Sequence, residues 1–81
     1  MPVLTLYGKP GCHLCDDARV TVRETLAGRD AELVEVDVTL DPGLHNRYGL
    51  RIPVLELDGE ELFEFFVDPA ALRERLDKLD T

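Results

Sequence analysis

Cys12 and Cys15, the two cysteines of the chain, stand three residues apart in "YGKPGCHLCDD" (residues 7–17). Thiols at that spacing can exchange with a disulfide, supply half of a metal site, or stay idle. A purely structural disulfide fits poorly, because the entropic effect of a cross-link grows with the loop it closes and this loop is minimal. Zinc wants four ligands, and only His13 and His45 remain as imidazole donors. His13 lies between the thiols, where joint ligation would be strained, so no metal site is expected. Redox exchange asks less of the surroundings. It needs one accessible thiolate to attack and a second thiol within reach to resolve the mixed disulfide.

Whether the pair can divide labour in that way depends on the elements that hold it. "VLTLY" (residues 3–7) is short, apolar and β-favouring, as a buried strand should be. "GKPG" then breaks the pattern. From Cys12 to Ala27, Leu14, Ala18, Val22 and Leu26 recur every four residues, which predicts a helix with Asp16 and Asp17 in its first turn and Gly28 as its stop. "ELVEVDV" (residues 32–38) reads as a second strand, and a strand–helix–strand unit makes its strands parallel. In "LDPGLHNRYGLR" (residues 40–51), Asp41 before Pro42 predicts an N-cap and one or two helical turns.

"PVLEL" (residues 53–57) predicts a third strand, Asp58-Gly59 a hairpin turn, and "EELFEFF" the antiparallel return, its phenylalanines serving core and hairpin packing. "DPAALRERLDKL" closes the chain as a helix with Leu72, Leu76 and Leu79 on one face. The reading is a single α/β domain over residues 1–81: βαβ, a short helical connection, a β-hairpin and a C-terminal helix, around a mixed four-stranded sheet.

In that order, Cys12 and Cys15 fall where the first strand hands over to the first helix. Unpaired N–H groups at a helix N-terminus favour negative charge, and the first cysteine of such a pair has its pKa lowered from about 8.5 to about 3.5–7.5. Cys15, one turn further in, is expected beside Cys12 and better covered. His13 as an imidazolium would favour the thiolate, while Asp16 and Asp17 oppose it; the sequence leaves the sign of their sum open. Lys9 and Arg51 flank the two segments of interest and together suggest a local positive patch.

The net charge of −8 argues against nucleic acid and against an anionic membrane surface. No stretch approaches the ~20 apolar residues of a membrane helix. The start "MPVLTLYGKPG" has neither a basic lead-in nor a cleavage site, so no signal peptide is expected. A cytoplasmic monomer is the expectation, and in that compartment a CxxC pair is catalytic or metal-binding more often than structural.

"LYGKPGCHLC" resembles the active-site stretch of glutaredoxins, Tyr-x-Lys-Pro-x-Cys-Pro-Tyr-Cys. "YGLRIPVLELDG" is similar to their second signature, in which a cis-proline opens the third strand. The resemblance covers nearly the whole chain. It points to the thioredoxin-like fold of glutaredoxin type, and within it to short bacterial glutaredoxin-like proteins. It implies Cys12 as nucleophile, Cys15 as resolving thiol and Pro53 as the cis-proline. It also implies that Ile52 offers backbone groups to substrate and that Lys9 meets a glutathione carboxylate. The expected substrate-facing set is Lys9, His13, Leu14, Arg51, Ile52 and Pro53.

Three departures stand out. His13-Leu14 replaces Pro-Tyr, Arg51 stands where a threonine is usual, and the Gly-Gly-x-Asp-Asp stretch that grips glutathione has no match in "FEFFVDPAA", where Asp68 is a positional candidate only. The implied activity is reduction of protein or glutathione mixed disulfides by a CxxC dithiol. No tightly bound cofactor is implied, glutathione is a candidate reductant or co-substrate, and an external thiol system restores the dithiol. Two rivals belong to other classes. One is a redox-inactive binding module presenting the Pro53 edge and the Leu14 rim; the other is an iron–sulfur carrier using Cys12 and glutathione.

Overall fold

In a computed structural model that describes residues 1–79, the chain runs β1 (Val3–Gly8), α1 (His13–Leu26), β2 (Glu32–Asp37), a 3-10 turn (Val38–Leu40) and α2 (Pro42–Tyr48). It continues through β3 (Val54–Leu57), β4 (Glu60–Glu64) and α3 (Pro69–Leu79). The strands line up as β2-β1-β3-β4, with β2 parallel to β1 and the other pairs antiparallel. This is the mixed four-stranded sheet that the element order predicts.

Alternation along β1 sets the layers. Leu4 and Leu6 pair with Leu57 and Leu55 of β3 on one face, where Ala18 and Val22 of α1 and Leu72 and Leu76 of α3 cover them. Each buried leucine or valine of this layer contributes about 1.5–3 kcal/mol, so the layer binds α1 and α3 to the sheet. Tyr7 and Val54 lie on the other face, in a second cluster with Tyr48 of α2, Val38, Ile52 and Cys15.

The turns follow their residues. Asp41 caps α2, its Oδ1 accepting the N–H groups of Gly43 and Leu44 at 2.8 and 3.2 Å, with Pro42 in the first helical turn. Asp68 does the same for α3 through Ala70 and Ala71 at 3.0 and 3.4 Å. In the hairpin, Asp58 and Gly59 both take positive φ, 49° and 90°, as a tight two-residue turn requires.

Several boundaries differ from expectation: β1 runs on to Gly8, and α1 ends at Leu26 with Ala27 as its C-cap. Cys12 is the cap of α1 and lies outside its helical span, and β3 starts after Pro53, which has no N–H for the ladder. β2 ends at Asp37 because Val38, still fully buried, opens the 3-10 turn. β4 ends at Glu64, where Phe65 turns out of the sheet with φ 67° and donates its N–H to the Pro53 carbonyl at 2.8 Å. As a result only Phe63 packs against the core, while Phe65 and Phe66 are exposed, a correction to the expectation for this stretch. Leu14 and Leu79 are also exposed, each in a terminal turn of its helix. No helix is long and apolar enough to cross a membrane among the described residues.

Candidate active site

β1 delivers the chain to the cysteines through Lys9, Pro10 and Gly11, the last at φ 77°. Cys12 is the N-cap of α1, and its Sγ accepts the Cys15 N–H at 3.2 Å. The Asp16 N–H donates to the Cys12 carbonyl at 3.0 Å, closing the first turn. Cys12 and Cys15 form a disulfide. Cys12 is half-buried and Cys15 is 2% exposed, so one sulfur is reachable and the other is covered. Gly8 makes room for the covered one: a Cβ there would stand 3.0 Å from the Cys15 Sγ.

The second segment comes from β3. The Ile52–Pro53 peptide is cis, as the resemblance implies, and Ile52 and Val54 share the buried cluster of Cys15, with Cys12 packed against it. Among the described residues no internal backbone partner takes up the Ile52 N–H or C=O. The fold thus brings together two stretches far apart in sequence.

The pattern of the glutaredoxin-like domain family (DUF836) matches residues 3–77. The chain belongs to that family. It is 38% identical to an uncharacterised protein of Mycobacterium tuberculosis, over 89% of this chain and 79% of that one. It is 39% identical to a structural-genomics target protein from X. campestris solved by X-ray, with TM-score 0.75 over 93% of this chain and 96% of that one. A thioredoxin from Halobacterium salinarum, solved as a mutant, is 28% identical with TM-score 0.69, over 95% and 73% of the respective chains. The glutaredoxin-like assignment, the thioredoxin fold and a CxxC pair at disulfide distance together indicate a redox-related thiol function.

The remaining expected site residues of this glutaredoxin-like chain are placed unequally. Lys9 is exposed and has no hydrogen-bond or ion-pair partner among the described residues. His13 and Leu14 are exposed in the first turn of α1. Arg51 is engaged: its NH1 lies 3.0 Å from Glu61 and 3.3 Å from Glu64, and its guanidinium sits 5.4 Å from the centre of the Tyr48 ring. The Glu61 hydrogen bond raises the Arg51 pKa, and the same bond lowers that of Glu61. Arg51 is therefore neutralised locally and does not join Lys9 as free positive charge. Asp68 uses Oδ1 to cap α3. No group of three or more His, Cys, Asp or Glu able to hold a metal occurs among the described residues.

Two openings flank α1, and the first of them reaches Cys15. An open cavity of ≈390 Å³ between α1 and the β1–β2 edge is lined by Gly8, Lys9, Cys15, Arg19 and Glu35, among others. A small cleft of ≈70 Å³ lies between Leu14 and Asp17 of α1 and the exposed Phe65 and Phe66.

The sequence reading missed a third feature. Glu56, mid-strand in β3, is buried, and its two oxygens accept the hydroxyls of Tyr7 at 3.2 Å and Tyr48 at 2.8 Å. The two rings stack with centroids 4.2 Å apart. Burial foremost, then the Glu56 hydrogen bond and charge, pushes the Tyr48 hydroxyl up to about 12; burial and the Glu56 charge push Tyr7 up as well. A glutamate inside an otherwise apolar four-residue strand was the available signal.

Proposed function

We propose that the protein is a thiol–disulfide oxidoreductase that reduces disulfides with Cys12 and Cys15. In the reduced form the Cys12 thiolate attacks one sulfur of a substrate disulfide. That S–S bond breaks, a Cys12–substrate bond forms, and the first substrate thiolate leaves and takes a proton from solvent. Cys15 then loses its proton and attacks the Cys12 Sγ, expelling the second substrate thiolate. Two electrons have passed to the substrate, and the Cys12–Cys15 disulfide is the oxidised product; an external thiol reductant returns it to the dithiol. The observation that carries this reading is the asymmetry of the pair: a reachable Cys12 whose Sγ accepts a helix N-terminal N–H, bonded to a covered Cys15.

The helix N-terminus favours the Cys12 thiolate. Ile52's backbone and Pro53 would form the edge along which an extended substrate chain lies, and the exposed Leu14 of α1 would offer it an apolar contact. Protein disulfides are the favoured substrates and glutathione a lesser one, since Arg51 and Asp68 are already engaged within the fold. A monomer working in a reducing compartment such as the cytoplasm completes the proposal.

The test is Cys15→Ser in the full chain. The variant should accumulate mixed disulfides at Cys12 when offered a peptide disulfide, because intramolecular resolution is gone, and Cys12→Ser should form none. A Cys15→Ser protein that captures neither glutathione nor a peptide thiol would favour the redox-inactive binding module instead.

A further inference from the structure

Glu56 is 7% exposed, and the exchange reaction above does not use it. A buried carboxylate is costly unless strong hydrogen bonds take up both oxygens, and a well-packed apolar residue of similar size is often the more stable choice. Here Tyr7 holds Oε1 and Tyr48 holds Oε2, and the guanidiniums of Arg47 and Arg51 lie 5.2 and 5.4 Å from the centre of the Tyr48 ring. No buried side-chain polar atom is left unpaired among the described residues. A leucine would fill the space without needing those partners. What leucine could not do is fix where two particular rings stand.

Those rings belong to the two segments that build the site. Tyr7 precedes Gly8, the glycine against which the Cys15 Sγ rests. Tyr48 ends α2, and its carbonyl accepts the Arg51 N–H at 2.8 Å, one residue before Ile52 and the cis-proline. Register adds to this: Tyr7 pairs with Val54 and Thr5 with Glu56, so Tyr7 and Glu56 are diagonal neighbours on one face of the sheet. We infer that Glu56 is a positioning residue, which binds Tyr7 and Tyr48 through separate oxygens and so holds the substrate edge at residues 49–53 in register with the cysteine loop. The inference rests on the exchange reaction proposed above and concerns how a substrate chain is presented to Cys12, leaving the thiol chemistry itself unchanged.

The test replaces the whole cluster at once in the full chain, as Tyr7→Phe/Tyr48→Phe/Glu56→Leu. Exchanging a complete buried polar group for apolar ones of similar volume is neutral or stabilising in many proteins, so the melting temperature should hold or rise. Because small misplacements of a positioned edge are felt strongly in rate, kcat/KM for a peptide disulfide should fall about tenfold, chiefly through KM. Alkylation of reduced Cys12 by iodoacetamide should stay within about twofold of wild type, as the helix N-terminus is untouched. Amide exchange at Arg51, whose N–H reports directly on Tyr48, should quicken by about tenfold as local opening becomes easier.

A folded triple variant with unchanged kcat/KM, or with unchanged Arg51 exchange, would overturn the inference. So would a loss of alkylation matching the loss of kcat/KM, which would put the effect on the thiol. Should the triple variant not fold, Glu56→Gln, which keeps one carboxamide acceptor, takes its place with the same readouts and a smaller shift in the same direction; no shift overturns the inference. A wild-type protein that reduces no disulfide would defeat the exchange reading, and Arg51 exchange alone would then decide whether Glu56 holds the edge.

Discussion

Replacing Gly8 with alanine perturbs the covered thiol while leaving both sulfurs in place. The added Cβ would lie 3.0 Å from the Cys15 Sγ and 3.2 Å from the Cys15 Cβ. Comfortable non-bonded separations for such atoms are about 3.5–4.0 Å, so the neighbouring Cys15 must give by a few tenths of an ångström. Cys15 cannot retreat easily, because Val38, Tyr48, Ile52 and Val54 close the cluster around it. Overpacking of this kind costs about 1–3 kcal/mol. Alanine also restricts the unfolded chain, which returns about 0.4–1 kcal/mol. The steric effect wins, and the expected net loss is about 1–2 kcal/mol. Urea denaturation of the oxidised and the reduced protein measures it, with a midpoint lowered by about 1 M or somewhat more for a domain of this size. Displacement of Cys15 should also slow resolution of a Cys12 mixed disulfide while leaving the first attack alone, which stopped-flow mixing separates. Equal midpoints in both redox states, together with unaltered resolution, would refute the argument that Gly8 is there to seat the sulfur.

Two further outcomes follow from other parts of the site. Tyrosinate absorbance should show Tyr7 ionising above its ordinary 10.0 and Tyr48 at about 12, the Tyr48 step vanishing in Tyr48→Phe. Because the folded protein holds these protons more tightly than the unfolded chain, the associated stability is fully present below pH ~10 and is lost as pH rises through about 12, by roughly 2–3 kcal/mol for Tyr48. Deglutathionylation should be slow beside reduction of a peptide disulfide, since each missing charged hydrogen bond costs about 1.5–3 kcal/mol, or tenfold or more in affinity. Glutathione turnover as fast as that of the peptide, and lost in Lys9→Ala, would contradict this.

Local pattern was enough to locate the elements that position the cysteines. The fourfold apolar repeat, Asp41-Pro42, Asp58-Gly59 and Asp68-Pro69 each encode their element within a few residues, and all four features appear at those places. The cis peptide at Pro53 was readable only through family resemblance, because a single Ile-Pro dipeptide is trans far more often than cis. Glu56 stood out as the one charge in an apolar strand, but its role was unreadable for a different reason. β3 is buried along all four residues, so no alternation marks which face a charge should occupy, and its partners Tyr7 and Tyr48 come from distant segments. Phe65 and Phe66 read as strand because the end of a ladder depends on the neighbouring strand; here the Pro53 carbonyl takes the Phe65 N–H and the sheet stops.

The balance of local charge bears on which disulfides suit the site. Screening limits the reach of the overall charge of −8 to about 8 Å at physiological salt, so the groups beside Cys12 decide. Asp16 is paired with Arg19 at 2.9 Å, and Arg51 is matched by Glu61 and Glu64. Asp17 has no partner among the described residues and lines the cleft with Leu14, Phe65 and Phe66. Glutathione would bring two carboxylates to a protein in which Lys9 is unmatched by a carboxylate but Asp17 lines the cleft beside Leu14. A protein segment with an apolar side chain next to its cysteine and a basic residue beyond it would instead bury Phe65 and Phe66, which are 47% and 69% exposed, and pair with Asp17. Burial of apolar surface gives about 25 cal/mol per Å², whereas an exposed pair gives at most about 1 kcal/mol. If the proposed exchange function holds, shape and hydrophobicity at Leu14, Phe65 and Phe66 would set affinity for such a segment, and Asp17 would chiefly set which flanking charges are tolerated.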